Sequence, residues 1–188
     1  MKKFISMLLA LVMAFSLTAC GSAAQPTEIP TEPTLAYQLE GTMEELVNQV
    51  ITEQPVEFMG GIIPVDLTDT SEDGLWAIKY YTGLDNADQI SDVAVYEPMM
   101  GSIAFSLVMV RVNEGEDPAL VVEAMKSGID TRKWICVEAN DLKVAGFGDV
   151  VMLVMVASDS GMTAQSFVDA FQKVCAAQYE GAKLEFTI

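Results

Sequence analysis

Three thiols, a run of carboxylates, an aromatic pair and two adjacent cations are the side chains whose types and spacing could do chemistry in this 188-residue chain. The thiols are Cys20, Cys136 and Cys175. Cys136 sits in Trp134-Ile135-Cys136-Val137 and Cys175 in Val174-Cys175-Ala176. Neither has a base nearby, and a nucleophilic cysteine needs help to become a thiolate. An extracytoplasmic setting permits a disulfide between them. Their apolar neighbours favour two free, buried thiols acting as small apolar residues.

The carboxylates run from Asp66 to Asp73. Asp69, Ser71, Asp73 and Gly74 fall at positions 1, 3, 5 and 6 of a calcium loop, but position 12 is Tyr80 where a bidentate Glu belongs. A polar turn ahead of a helix starting near Glu72 accounts for the same residues. Trp76 and Tyr80 lie four apart, so a helix puts them on one face. They are either a ligand-stacking platform or core, and core packing is the expectation. Arg132 and Lys133 are the densest cationic spot, too few for an anion site without a partner. Arg111 shares the parity of Ile103, Phe105, Leu107 and Met109, so it either snorkels to the rim or pairs with a carboxylate; as a ligand clamp it is a weak candidate. There is no histidine. That excludes Ser-His-Asp and Cys-His catalysis and His-based zinc sites. No cofactor and no metal site is expected.

The N-terminus is more specific. Met1-Lys2-Lys3 precedes an apolar run from Phe4 to Leu17, broken by Ser6 and Ser16. This is the grammar of a secretory signal, and the run is too short to span a bilayer as a helix. Leu17-Thr18-Ala19-Cys20-Gly21 resembles the lipobox of bacterial lipoproteins. The resemblance implies a diacylglyceryl group on the Cys20 sulfur. It also implies cleavage between Ala19 and Cys20, with Leu17, Thr18, Ala19 and Gly21 recognised by the lipoprotein signal peptidase. Residues 1–19 are then a cleaved signal peptide. Residues 20–36, rich in Pro and Thr, read as a disordered tether, and residues 37–188 as a single domain.

Cleavage removes Lys2 and Lys3 and no acid. Eight basic residues then stand against 27 acidic ones, a net charge of −19. Such a surface argues against nucleic acid, which is bound through clustered Lys and Arg, and against adsorption to anionic lipid. The membrane partner is therefore reached through the lipid. The charge permits cationic partners or loosely held metal ions, and solubility alone is the favoured reading.

The elements that must carry these residues follow from patterning. Thr42 and Glu45 form a capping box before Leu46, Val47, Val50 and Ile51 at helical spacing, and Pro55 stops the helix. Val56 to Leu67 is either a kinked edge strand or a covering loop. A second helix starts near Glu72 and closes at Gly83. Ile90–Glu97 and Ser102–Val112 read as a hairpin around Pro98-Met99-Met100-Gly101. Asp117-Pro118 starts a helix with Leu120, Val121, Ala124 and Met125 inward; it ends at Gly128 or runs on to about Ile135. Leu142–Phe147 and Val150–Ala157 form a second hairpin. Ala164, Phe167, Val168, Phe171, Val174 and Cys175 give the last helix. Lys183–Ile188 alternates as a final strand with Leu184, Phe186 and Ile188 on one side. The expected class is α+β: an antiparallel sheet of two hairpins plus a C-terminal strand, helices packed mainly on one face.

The block from Gly83 to Phe171, with GSIAFSLVMVRV and GFGDVVMLVMV, resembles short bacterial lipoproteins that carry a domain of unknown function behind a lipobox. The resemblance implies a surface-tethered accessory protein, on the extracytoplasmic face of the cell membrane. The functional expectation is a non-enzymatic binding or scaffolding domain for an unknown envelope protein or small ligand. The alternatives are a carboxylate-based hydrolase of cell-wall or extracellular substrates, which needs two acids converging in a cleft, and a calcium-dependent module.

Overall fold

Two strands dictate the architecture. Phe105–Val112 and Val150–Val156 are apolar at nearly every position, so both faces must be covered. The computed structural model describes residues 37–188. Its elements, in chain order, are α1 (Met43–Glu53), β1 (Gly60–Ile63), α2 (Glu72–Thr82), β2 (Ile90–Pro98), β3 (Phe105–Val112), α3 (Pro118–Gly128), β4 (Asp141–Phe147), β5 (Val150–Val156), a short 3-10 turn (Ser158–Ser160), α4 (Ala164–Gln178) and β6 (Phe186–Thr187). The sheet runs β1-β2-β3-β5-β4-β6 with every neighbouring pair antiparallel. β3 and β5 take the centre. Both edges are short strands, which limits the unpaired backbone offered to other chains.

The class is the expected α+β, with both hairpins present and a C-terminal strand at one edge. The helices, however, are not gathered on one face. Phe105, Leu107 and Met109 of β3 and Met152 and Val154 of β5 pack with α1 and α4. Val108 and Val110 of β3 and Val151, Leu153 and Met155 of β5 pack with α2 and α3. A strand that is apolar at both parities needs cover on two sides, and one helix pair serves each. The strand-strand-helix order occurs twice, yet α3 and α4 cross on opposite faces.

Local rules set the boundaries. Thr42 and Glu45 close the capping box of α1, and Ser71 and Asp117 cap α2 and α3. The stretch left open between strand and loop contains the edge strand β1, in register from Gly60↔Pro98 to Ile63↔Val95. Helix α3 stops at Gly128 and does not run on to Ile135. Val122 is buried on α3, whereas Leu120, expected inside, is exposed. Phe186 and Ile188 pack on the α2/α3 side, but Leu184 packs on the other, so the tail is not one continuous alternating strand. No helix among the described residues is long and apolar enough to cross a membrane.

Arg111 pairs with a carboxylate, as one of its two expected readings had it. It meets Asp149 and donates to the carbonyls of Leu39 (2.9 Å) and Gly41 (2.7 Å). Asp149 Oδ1 in turn accepts from the Leu39 amide at 2.9 Å. The ion pair clasps the start of the domain to the β4–β5 turn.

Candidate functional site

The residues that converge most tightly come from α2, the ends of β2 and β3, and the segment between α3 and β4. The approach of α2 to that segment depends on two glycines. Gly83 ends α2 in the left-handed region, φ +82, where a residue without Cβ is unstrained. Gly128 ends α3 against it, and a Cβ there would fall inside contact distance of the Gly83 carbonyl. The segment after Gly128 is then shaped by its own bonds. Asp130 Oδ1 accepts from the Arg132 amide at 2.8 Å, and the Ala139 amide donates to Thr131 O at 2.9 Å. Tyr80 Oη donates to the Lys133 carbonyl at 3.2 Å.

This geometry sends Lys133 inward. Its side chain is 1% exposed, and Nζ lies 2.6 Å from Glu97 Oε1. Beyond that ammonium, Oε1 has no hydrogen-bond donor. Ser106 Oγ and the Tyr80 carbonyl are 3.4 and 3.5 Å from Nζ. Three rings enclose the ammonium, with centroids at 4.8 Å (Tyr80), 5.1 Å (Tyr81) and 5.3 Å (Trp134). Aromatic faces attract cations through the ring quadrupole, more strongly when water is excluded. Trp76 extends the cluster outward, stacked on Tyr80 at 4.7 Å and 61% exposed.

Burial dominates the electrostatics. Desolvation pulls the Lys133 ammonium below its usual 10.5, and the charge of Glu97 only partly opposes it. The Tyr80 and Tyr81 phenols are pushed up, first by burial and then by the negative charge of Glu97.

Clefts adjoin it. One of about 380 Å³ is lined by Arg132, Trp134, Cys136, Val137 and Glu138. A larger one, about 570 Å³, shares Cys136, Val137 and Glu138 and reaches Ser158–Ser160. A third, about 480 Å³, continues past Ile103 and Ser160 to Phe58 and Met162. A separate groove of about 290 Å³ lies between α1 and α4, flanked by the Lys173–Glu53 pair at 3.5 Å.

The residues singled out in the sequence fare differently. Leu17, Thr18, Ala19, Cys20 and Gly21 lie outside the described residues. The acids of the calcium-like loop serve their own backbone. Asp66 accepts from the Thr68 amide and hydroxyl, and Asp69 from the Ser71 amide. Those bonds hold both carboxyls below their ordinary value. Among the described residues no group of three or more Cys, Asp or Glu is placed to hold a metal ion. Trp76, expected in the core, is at the surface. Cys136, expected buried, is exposed with φ +68 in the left-handed region, because the segment turns its Lys133 inward and its Ile135-Cys136 outward. Cys175 is buried as expected, its thiol pushed up to about 12 by burial. Both thiols are free. Glu97, Ser106 and Tyr81 had no assigned role in the sequence. Glu97 did carry a signal, since it continues the parity of buried Val95, and an acid on a buried parity calls for a partner.

No protein-family model, curated protein or solved structure matches the chain.

Proposed function

We propose that the protein is a bacterial lipoprotein, anchored through a diacylglyceryl group on Cys20, whose folded part is a non-enzymatic binding or scaffolding module on the extracytoplasmic face of the membrane. The observation that carries the anchor is the order Lys2-Lys3, apolar run, Leu17-Thr18-Ala19-Cys20-Gly21. Two acyl chains on one residue suffice for stable attachment, and an acidic domain would not adsorb to the membrane by charge. Binding is supported by an exposed Trp76 stacked on Tyr80 and by a cleft that Trp134 of the same aromatic cluster lines. A carboxylate hydrolase is the poorer reading. The acids lining the larger cleft are Glu138 and Asp159, and Glu138 lies 3.3 Å from Arg132, already engaged. The excess of acids points to a cationic partner and not to nucleic acid.

The test is fractionation of cells expressing the chain or its Cys20→Ala form, with fatty-acid labelling and capture of partners from the membrane fraction. The wild type should be labelled and sediment with membranes. The variant should lose both properties. An unlabelled wild type, or a Cys20→Ala form that still sediments with membranes, contradicts the anchor.

A further inference from the structure

The Lys133 cluster is unusual because its parts are those of a receptor for an ammonium ion, assembled around a residue of the same chain. A carboxylate lies at the bottom, three aromatic faces form the walls, and a hydroxyl and a carbonyl complete the polar contacts. Organic ammonium groups are recognised by this combination of ring faces and negative charge. The internal cation sits on a segment, residues 129–140, that contains no helix or strand. On the outer side that segment exposes Ile135 and Cys136. Its acid partner's Oε1 has no donor other than that ammonium. An ion pair buried this way gains little net stability, because desolvation offsets most of the attraction. The two walls contributed by α2, together with Glu97 and Ser106, belong to a capped helix and the sheet and not to this segment.

We propose that Glu97, Tyr80, Tyr81 and Trp134 form an ammonium-binding site, occupied here by Lys133 as an internal ligand and open to exchange with an alkylammonium group from outside. Trp76, stacked outward on Tyr80, marks the entrance. The ligand class is a lysine-like or methylated amine, and the acidic surface draws such cations toward it. The inference rests on reading the domain as a binding module, and it is independent of the anchor at Cys20.

The experiment uses the full chain in detergent. Lys133→Ala removes the side chain beyond Cβ, which is the size of n-propylammonium. The variant should melt about 4–8 °C below wild type. Millimolar n-propylammonium should restore most of that loss, and n-propanol or sodium chloride at the same concentration should not. Adding Glu97→Gln to Lys133→Ala should abolish the rescue. Equal rescue by propanol, or rescue that survives Glu97→Gln, overturns the site. Exchange is read on wild type, so it holds even where the variant does not fold. Reductive methylation followed by peptide mass spectrometry should find Lys133 the slowest lysine. Tetramethylammonium, which cannot react, should speed it several-fold while Lys126 and Lys143 are unchanged. If Lys133 is labelled no slower than those two, or tetramethylammonium has no selective effect, exchange is refuted. Failure of both arms removes the ammonium site and leaves capture of a partner through another surface to be judged by the fractionation experiment.

Discussion

Two buried ion pairs stand on the two sides of this domain, and they are built to different rules. Arg111–Asp149 is saturated. The guanidinium donates to two backbone carbonyls, the carboxylate accepts a backbone amide, and these bonds tie one chain segment to β3 and to the β4–β5 turn. Lys133–Glu97 is a single-point contact of 2.6 Å enclosed by rings, and Glu97 Oε1 has no donor besides that ammonium. A planar fork suits permanent bracing, whereas an ammonium is a point charge that any similar cation can imitate. The first pair is therefore a clasp. The second has the composition of a recognition site.

Breaking the clasp should have the largest effect. Arg111→Ala leaves Asp149, 3% exposed, as an uncompensated charge, and should cost about 3–5 kcal/mol in urea unfolding. Lys133→Met should cost about 2 kcal/mol, and Lys133→Met combined with Glu97→Gln less than the single change, because the stranded carboxylate is gone. A double variant as unstable as the sum of its parts would place the two residues in separate environments.

The comparison can also be sharpened by pH. Burial sets the folded pKa of Lys133 below 10.5. Between the two values the unfolded chain binds more protons, so this group makes stability rise as pH climbs toward 10.5. Tyr80 and Tyr81, raised above 10.0, act in the opposite direction from about pH 10 upward. The stability of wild type relative to Lys133→Met should thus grow with pH through the alkaline range up to about 10. A flat difference would mean an unperturbed ammonium.

Smaller effects test the surroundings. Trp76→Ala removes one exposed stack and should cost about 0.5–1 kcal/mol with no change of fold by circular dichroism. Cys136→Ser should stay within about 0.5 kcal/mol. In native protein Cys136 should alkylate readily, while Cys175, buried with its thiol near 12, should react only on unfolding.

Much of the fold could be read from pattern. Caps at Thr42 and Asp117, the polar turn ahead of Glu72, the two hairpins and the amphipathic stripe of α4 are local signals, and local signals survive folding. The distribution of helices over both faces was legible in principle, since SLVMVRV and VVMLVMV are apolar at both parities. What that implies for the partners of each face is a non-local fact. The site was nearly invisible for the same reason. Lys133 looks like surface charge until the Gly83–Gly128 contact brings α2 beneath it. Trp76 and Tyr80 share a face, as their spacing requires, but the stack is capped by solvent and not by core. Cys136 looked apolar by its neighbours, and a segment without regular structure imposes no periodicity that would turn it inward. The acids of residues 66–73 mimicked a metal loop because Asx turns and calcium loops use the same short carboxylates.

The Lys133 ammonium is held, desolvated, among three rings. Carbon-13 labelling of the lysine ε-methylenes and a pH titration by NMR test it directly. One ε-methylene, lost in Lys133→Met, should show protons shifted upfield by the ring faces and a midpoint below 10.5. If all the lysine ε-methylenes titrate at or above 10.5 and none shows a ring shift, the cage is contradicted.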